Sequence, residues 1–228
     1  MSIETPNANS VEIIEWKNRE VEEQFVDAIT SSFVSLREIL PLLPEPIQIY
    51  FDERRFAKDV GATGYANTHD QMAVCINKDF TDRELQRREI KPLVFHEGYH
   101  MADKFTYADG KFSGIESAIA EGKAVVFEMR YADSTPHYAN WQDEQEKIQG
   151  WYEALRNITA DQYFEESGET WQKWAFWDDE TQEASRVYKV GTWMIEQVLA
   201  ARGLDIVELC GVPAQQILEW FEAANNAV

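Results

Sequence analysis

Two histidines and a glutamate stand within the stretch Val94–His100, whose sequence is VFHEGYH. The chain has only four histidines, so two of them placed four residues apart call for a physical reason. On an α-helix, residues i and i+4 share a face with Cβ atoms about 6 Å apart, so His96 and His100 can converge on one metal ion. Glu97 points about 100° further round the helix, towards a water on that ion rather than the ion itself. The spacing therefore predicts a helix that carries a metal site.

The residues around the motif indicate a largely buried helix. Leu93–Phe95 precede the first histidine, and Met101, Ala102 and Phe105 follow the second. Histidine and glutamate side chains without partners are costly in such surroundings, and a metal ion with its water would supply partners. An HExxH string arises by chance in roughly one chain of this length in a hundred, so the motif needs a third ligand in support.

Glu121 is the preferred third ligand because it stands within a second apolar helix, predicted over 115–131. A buried glutamate is uncommon unless it is paired or bound to a metal. The turn-rich connector 107–114 lets the two helices pack side by side. Two histidines and one glutamate leave a fourth zinc position open to water, which is the arrangement of catalytic sites. Cobalt and manganese suit the same donors, so the sequence alone leaves the metal open.

Two other glutamates of the same helix are alternatives as ligand. Glu116 lies at the helix start, where the helix dipole favours a carboxylate in any case. Glu128 lies two turns beyond Glu121 on the same face, about 10 Å away, and could support a ligand rather than bind the metal.

Helices and short strands make up the rest of the prediction. Apolar residues at helical spacing predict a helix over 21–43, which Pro44 and Pro46 end. Alternating residues predict strands over 47–51 and 72–77, separated by a polar loop with Gly61 and Gly64 over 52–70. Three further helices are predicted over 141–156, 182–202 with Gly203 as C-cap, and 213–224.

The segment before the HExxH helix carries two local signals. Thr81 is a plausible N-cap, and Glu84 stands at the reciprocal position of a capping box. Pro92 is expected to separate this segment from the next helix, which is then predicted from about Leu93 to Phe105.

The composition argues against some classes of partner. The chain has 41 acidic and 21 basic residues, a net charge of −20, which repels nucleic acids and anionic membrane surfaces. The N-terminal sequence lacks the basic and apolar regions of a signal peptide, so we expect a cytoplasmic protein. We expect one domain over 1–228, with a flexible segment at 1–20, the sheet and HExxH helix up to about 106, and a helical part over 115–228.

The motif HEGYH, followed later by AEGKA at 120–124, resembles the gluzincin metallopeptidases. Within that group the chain is most similar to the predicted Zn-dependent proteases of the DUF2268 (YjaZ-like) family. Glu121–Ala124 matches the EGxA-type segment of that family, and Tyr188–Gly191 matches its late YxxG helix. The likeness spans about residues 45–220.

The resemblance implies an α+β fold: a mainly helical, zincin-like domain with a small antiparallel or mixed sheet next to the active-site helix. It implies a Zn²⁺ ion held by His96, His100 and Glu121, and Glu97 as the general base of peptide hydrolysis. The strand at 72–77 would be the sheet edge that lines the substrate cleft.

The chain departs from the family pattern at two positions. Lys123 stands where an apolar residue is common, and Val125 stands where some gluzincins have an acid that orients a ligating histidine. Asp103 and Ser117 are the candidates for that orienting role.

Peptide hydrolysis also needs a donor for the developing oxyanion. Tyr188, His137 and His69 are available, and Tyr188 is preferred because it opens a helix whose N-terminal end could face the cleft. We therefore predict a zinc metallopeptidase acting on a peptide or protein, with Glu97 and Tyr188 as catalytic groups. A catalytically silent metal-binding or interaction module on the same fold, and an acidic helical interaction protein with a chance HExxH string, are the alternatives.

Overall fold

A computed structural model of the protein describes residues 12–15, 23–43, 47–51 and 60–225. Helices dominate this part of the chain and a small sheet joins them, which confirms the α+β class. The strands are β1 (Glu12–Glu15), β2 (Gln48–Phe51), β3 (Ala62–Thr68), β4 (Gln71–Ile76), β5 (Trp177–Asp178) and β6 (Glu183–Ala184). The helices are α1 (Glu23–Ile39), α2 (Arg83–Asp103), α3 (Gly114–Tyr131), α4 (Gln145–Arg156), α5 (Ala160–Tyr163), α6 (Glu169–Ala175), α7 (Arg186–Arg202) and α8 (Ala214–Asn225).

The main sheet is mixed and has the strand order β1-β2-β4-β3. β1 and β2 are parallel, as are β2 and β4, while β3 returns antiparallel to β4. The predicted strands at 47–51 and 72–77 are thus confirmed as β2 and β4. Strands β5 and β6 form a separate antiparallel pair.

Strand β3 corrects the prediction of a loop over 52–70, of which residues 52–59 lie outside the described residues. Gly64 pairs with Val74, so glycine is here a strand residue and not a turn residue. A Cβ atom at Gly64 would lie 2.6 Å from the Ala73 carbonyl oxygen and 3.1 Å from Leu93 Cδ1. The glycine therefore lets the strand lie close against α2, a tertiary reason that a local pattern does not reveal.

The edge of the sheet next to α2 is β3 and not β4. Strand β4 pairs with β2 on one side and with β3 on the other, so it lies inside the sheet. The expectation that the strand at 72–77 is the edge of the sheet is therefore wrong, and β3 is the edge strand on that side.

Helix α2 runs without interruption from Arg83 to Asp103 and contains Pro92. The predicted break at Pro92 is wrong: a proline removes one helical hydrogen bond, and the burial of Ile90 and Val94 on either side holds the helix together. The N-cap is also shifted by one residue from the predicted Thr81. The side chain of Asp82 accepts a hydrogen bond from the backbone N–H of Leu85 at 2.9 Å.

Close helix contacts position α1, α3 and α7 around this central helix. A Cβ atom at Gly98 of α2 would overlap the Leu36 side chain of α1. A Cβ atom at Gly191 of α7 would overlap the Ala118 carbonyl oxygen of α3, and one at Gly122 would overlap the backbone of Gly191. Because these glycines allow the backbones of α3 and α7 to touch, the start of α7 lies next to the middle of α3.

The remaining predictions are confirmed with small shifts in their bounds. The apolar residues that predicted the first helix are buried in α1, and α4, α7 and α8 match the three later predicted helices, with Gly203 as the C-cap of α7. Residues 1–11 and 16–20 of the predicted flexible segment lie outside the described residues, whereas 12–15 form β1. None of the described helices has the length and apolar character to cross a membrane.

Candidate metal centre

His96, His100 and Glu121 bring one donor atom each to a common point. The Nε2 atoms of His96 and His100 are 3.2 Å apart, and Glu121 Oε2 lies 3.2 Å from the first and 3.4 Å from the second. A tetrahedral zinc ion with bonds near 2.0–2.1 Å separates its ligand atoms by ~3.3–3.4 Å. The three separations and the donor types therefore fit a zinc ion, and the same three residues were predicted as its ligands.

The local sequence explains this geometry. His96 and His100 share one face of α2, and only 8% and 5% of their surfaces are exposed. The Ser113 side chain caps α3, accepting from the Glu116 N–H, while the Glu116 carboxylate accepts from the Ser113 N–H. Glu116 is thus used at the helix start, as the dipole argument suggested, and Glu121 faces the histidines.

The pKa shifts of His96 and Glu121 are typical of a site that favours positive charge. Burial opposes a charged imidazole, but Glu121 and Glu128 hold the pKa of His96 well above its usual range. Burial also acts to raise the pKa of Glu121, yet His100 and His96 lower it to about 2. A carboxylate ionised under almost all conditions, next to two buried imidazoles, is a suitable ligand set for a cation.

Glu97 lies beside the three donors and not among them. Its Oε2 accepts a hydrogen bond from the backbone N–H of Ala66 in β3 at 2.8 Å. Burial raises the pKa of Glu97, and the histidines and the Ala66 amide only partly offset this. The carboxylate is therefore fixed against the sheet edge and has the raised basicity that a general base needs.

Glu128 is the residue that contacts the other side of His96, with its Oε2 at 3.1 Å from His96 Nδ1. Asp103 and Ser117, which the sequence suggested for orienting a histidine, form no hydrogen bond to an imidazole among the described residues. Asp103 instead pairs with Lys123 at 2.6 Å, and Ser117 is buried one turn before Glu121. Its spacing of two helical turns from Glu121 had indicated in the sequence that Glu128 could support a ligand, and the contact with His96 agrees with that.

Tyr188 lies at the start of α7 with its ring centroid 6.5 Å from that of His96. Burial, followed by the charge of Glu121, raises the pKa of Tyr188 well above its usual range, so its hydroxyl stays a proton donor. The other two candidates, His69 and His137, are exposed, as expected from their polar surroundings.

The helix with two histidines, the glutamate from the next helix and the adjacent sheet edge together form a candidate metal site. The chain belongs to the family described as predicted Zn-dependent protease (DUF2268), whose model matches residues 25–219. This match confirms the predicted resemblance to the DUF2268 family. No curated protein and no solved structure matches the chain.

Proposed function

We propose that the protein is a zinc-dependent metallopeptidase in which His96, His100 and Glu121 bind the metal and Glu97 is the general base. The observation that carries the proposal is the convergence of three donor atoms at separations of 3.2, 3.2 and 3.4 Å. Membership of a family described as predicted Zn-dependent proteases supports the same class of reaction.

His96, His100 and Glu121 would hold the zinc ion, which would supply Lewis acidity: a pKa lowered to about 7 for a water and polarisation of a carbonyl oxygen. Glu97 accepts the proton of the attacking water and then passes it to the leaving amine. The Ala66 N–H that binds Glu97 Oε2 keeps the carboxylate in place for both transfers. Burial, which raises the pKa of Glu97, favours the protonated form that the second transfer requires.

The edge strand β3 supports a peptide as the substrate. Within the described sheet, β3 is an edge strand that pairs with β4 alone. Backbone hydrogen bonds to such an edge orient a peptide independently of its sequence. Since Ala66 of β3 contacts Glu97, a peptide bound there would lie next to the general base.

Tyr188 is the group that we assign to the oxyanion. Its raised pKa keeps the hydroxyl protonated, and no hydrogen bond of that hydroxyl is found within the described part of the chain. A donor that is not already engaged can bind charge that develops only in the transition state. A peptide or protein as substrate and a cytoplasmic location stay predictions from the sequence.

The direct test replaces Glu97 with glutamine and compares it with a matched substitution on the same helix. Glu89 also accepts a backbone N–H at the start of the β3 region, from Gly61 at 3.1 Å, but does not touch the donor set. We expect E97Q to retain zinc and to lose about 10²–10⁴-fold in the hydrolysis of a mixed peptide library, whereas E89Q keeps its activity.

Two results would count against this proposal. Hydrolysis by E97Q at the rate of the unaltered protein would reject Glu97 as the base. Zinc binding by the unaltered protein with no hydrolysis, with or without chelator, would favour the silent metal-binding module instead.

A further inference from the structure

Glu128 connects the candidate metal centre to the segment that follows α3. The residue is 4% exposed, and each of its carboxylate oxygens has a partner. Oε1 accepts a hydrogen bond from Ser134 Oγ at 2.6 Å. Oε2 accepts one from the Tyr138 hydroxyl at 3.0 Å and lies 3.1 Å from His96 Nδ1. One buried carboxylate thus holds a ligand and two residues of the following segment.

The contact with Nδ1 determines which way the His96 ring faces. A histidine that donates its Nδ1–H to a carboxylate presents Nε2 as the free lone pair. In the structure Nε2 faces His100 and Glu121, where the metal would bind. The carboxylate therefore selects the tautomer and the ring orientation that a metal ligand requires.

The same carboxylate also fixes the position of Tyr138. The Tyr138 ring contacts the Tyr188 ring edge-on with centroids 5.1 Å apart, and Tyr188 lies beside His96. Between α3 and Tyr138, Asp133 has a φ of 55°, in the left-handed region that aspartate tolerates better than most residues. His96, Glu128, Tyr138 and Tyr188 consequently form a closed set of contacts around the site.

We propose that Glu128 is a positioning residue that orients His96 for the metal and, through Tyr138, holds Tyr188 at the site. The proposal rests on the metal site described under the proposed function. Glu128 would thus take the role of the acid that the chain lacks at Val125, one turn later on α3. An orienting carboxylate of this kind typically changes metal affinity by about 10–100-fold when it is lost.

The test compares the zinc affinity of E128Q with that of E196Q. Glu196 of α7 accepts a hydrogen bond from Trp141 Nε1 at 2.7 Å and is a partly buried carboxylate that does not contact a ligand. Zinc dissociation constants are measured by competition with a chromogenic chelator, and thermal unfolding of the metal-free proteins monitors folding. We expect E128Q to bind zinc about 10–100-fold more weakly and E196Q to bind it like the unaltered protein.

A second variant tests the link to Tyr138 and keeps the proposal falsifiable if E128Q does not fold. Y138F removes one hydrogen bond to Glu128 and keeps the ring. Its control is Y131F, which removes a comparable hydrogen bond at the end of α3, to Asp205 at 2.9 Å. We expect Y138F to weaken zinc binding about fivefold, the equivalent of one hydrogen bond, and to lower kcat with KM unchanged. Y131F should change neither quantity.

The outcomes separate this inference from the proposed function. Equal zinc affinity of E128Q and E196Q, or of Y138F and Y131F, would overturn the positioning role while the metal site itself stands. Failure of the unaltered protein to bind zinc would overturn both proposals.

Discussion

Two buried polar clusters join helices α2 and α3, and they differ in whether a basic side chain of the protein pairs with their acidic groups. One is the candidate metal centre of His96, His100 and Glu121. The other is the pair of Asp103 and Lys123, whose side chains are 7% and 3% exposed and 2.6 Å apart. The first cluster takes two residues from α2 and one from α3, and the second takes one from each, so the helices pack over polar groups at two levels.

The Asp103–Lys123 pair is complete within the chain. Lys123 Nζ also donates to the carbonyl oxygens of Leu209 and Val212 at 3.3 and 3.2 Å, and Asp103 Oδ1 accepts from the Gly211 N–H at 2.7 Å. Each charge therefore has an opposite charge and further hydrogen bonds, as a buried ion pair requires. The lysine that departed from the family pattern in the sequence has this partner as its physical reason.

The metal centre is incomplete by the same standard. Among the described residues, no lysine or arginine forms an ion pair with Glu97, Glu121 or Glu128. The buried Nδ1 of His100 makes no hydrogen bond in that part of the chain. A cluster that gathers acids and imidazoles without a permanent cation is suited to bind one, whereas a cluster with its own cation is already paired.

The largest predicted effect on stability concerns the buried Asp103–Lys123 pair. Lys123→Met leaves the Asp103 carboxylate buried without its cation, and we expect the free energy of unfolding to fall by about 3–5 kcal/mol. Zinc content of the folded protein should not change. Denaturant unfolding of the metal-free protein measures the loss.

Two matched variants sharpen this prediction. The exposed pair of Lys111 and Asp161 is 3.3 Å apart, and K111M should cost about 0–1 kcal/mol. The double variant K123M/D103N removes both buried charges and should recover part of the loss. A cost for K123M as small as that for K111M would show that the buried pair does not support the fold as described.

A smaller effect, on the rate of hydrolysis, is predicted at the candidate metal centre. Tyr188→Phe removes the hydroxyl that we assign to the oxyanion and keeps the ring. We expect kcat to fall about 10²–10³-fold, roughly 2.7–4 kcal/mol in the barrier, with KM and zinc content unchanged. Steady-state hydrolysis of a peptide measures the change, and Y131F is its control. A kcat equal to that of Y131F would leave Tyr188 as a packing residue.

The sequence predicted those features that local periodicity determines. The i, i+4 histidines share a helix face by geometry alone, and the apolar spacing located α1, α3 and α7. The pairing of Glu121 with the histidines followed from the same reasoning, because a glutamate in an apolar helix needs a partner.

Features that depend on contacts between distant segments were missed. The local sequence placed Gly64 in a loop, but its place in a strand depends on packing against α2. The local sequence likewise placed a helix end at Pro92, but the helix continues there because the neighbouring residues are buried. Glu128 was named as a possible support for a ligand, but the sequence did not show which ligand, because its contact with His96 depends on how α2 and α3 cross. The partners of Lys123 include a carbonyl from residue 209, far away in the sequence.

The metal content of the purified protein and of its His100→Ala variant tests the central claim most directly. Elemental analysis after mild purification should find about one zinc ion per chain in the unaltered protein, since three donors converge at one point. H100A removes one of those donors and should contain no stoichiometric zinc. Equal zinc content in the two proteins, or none in either, would contradict the account.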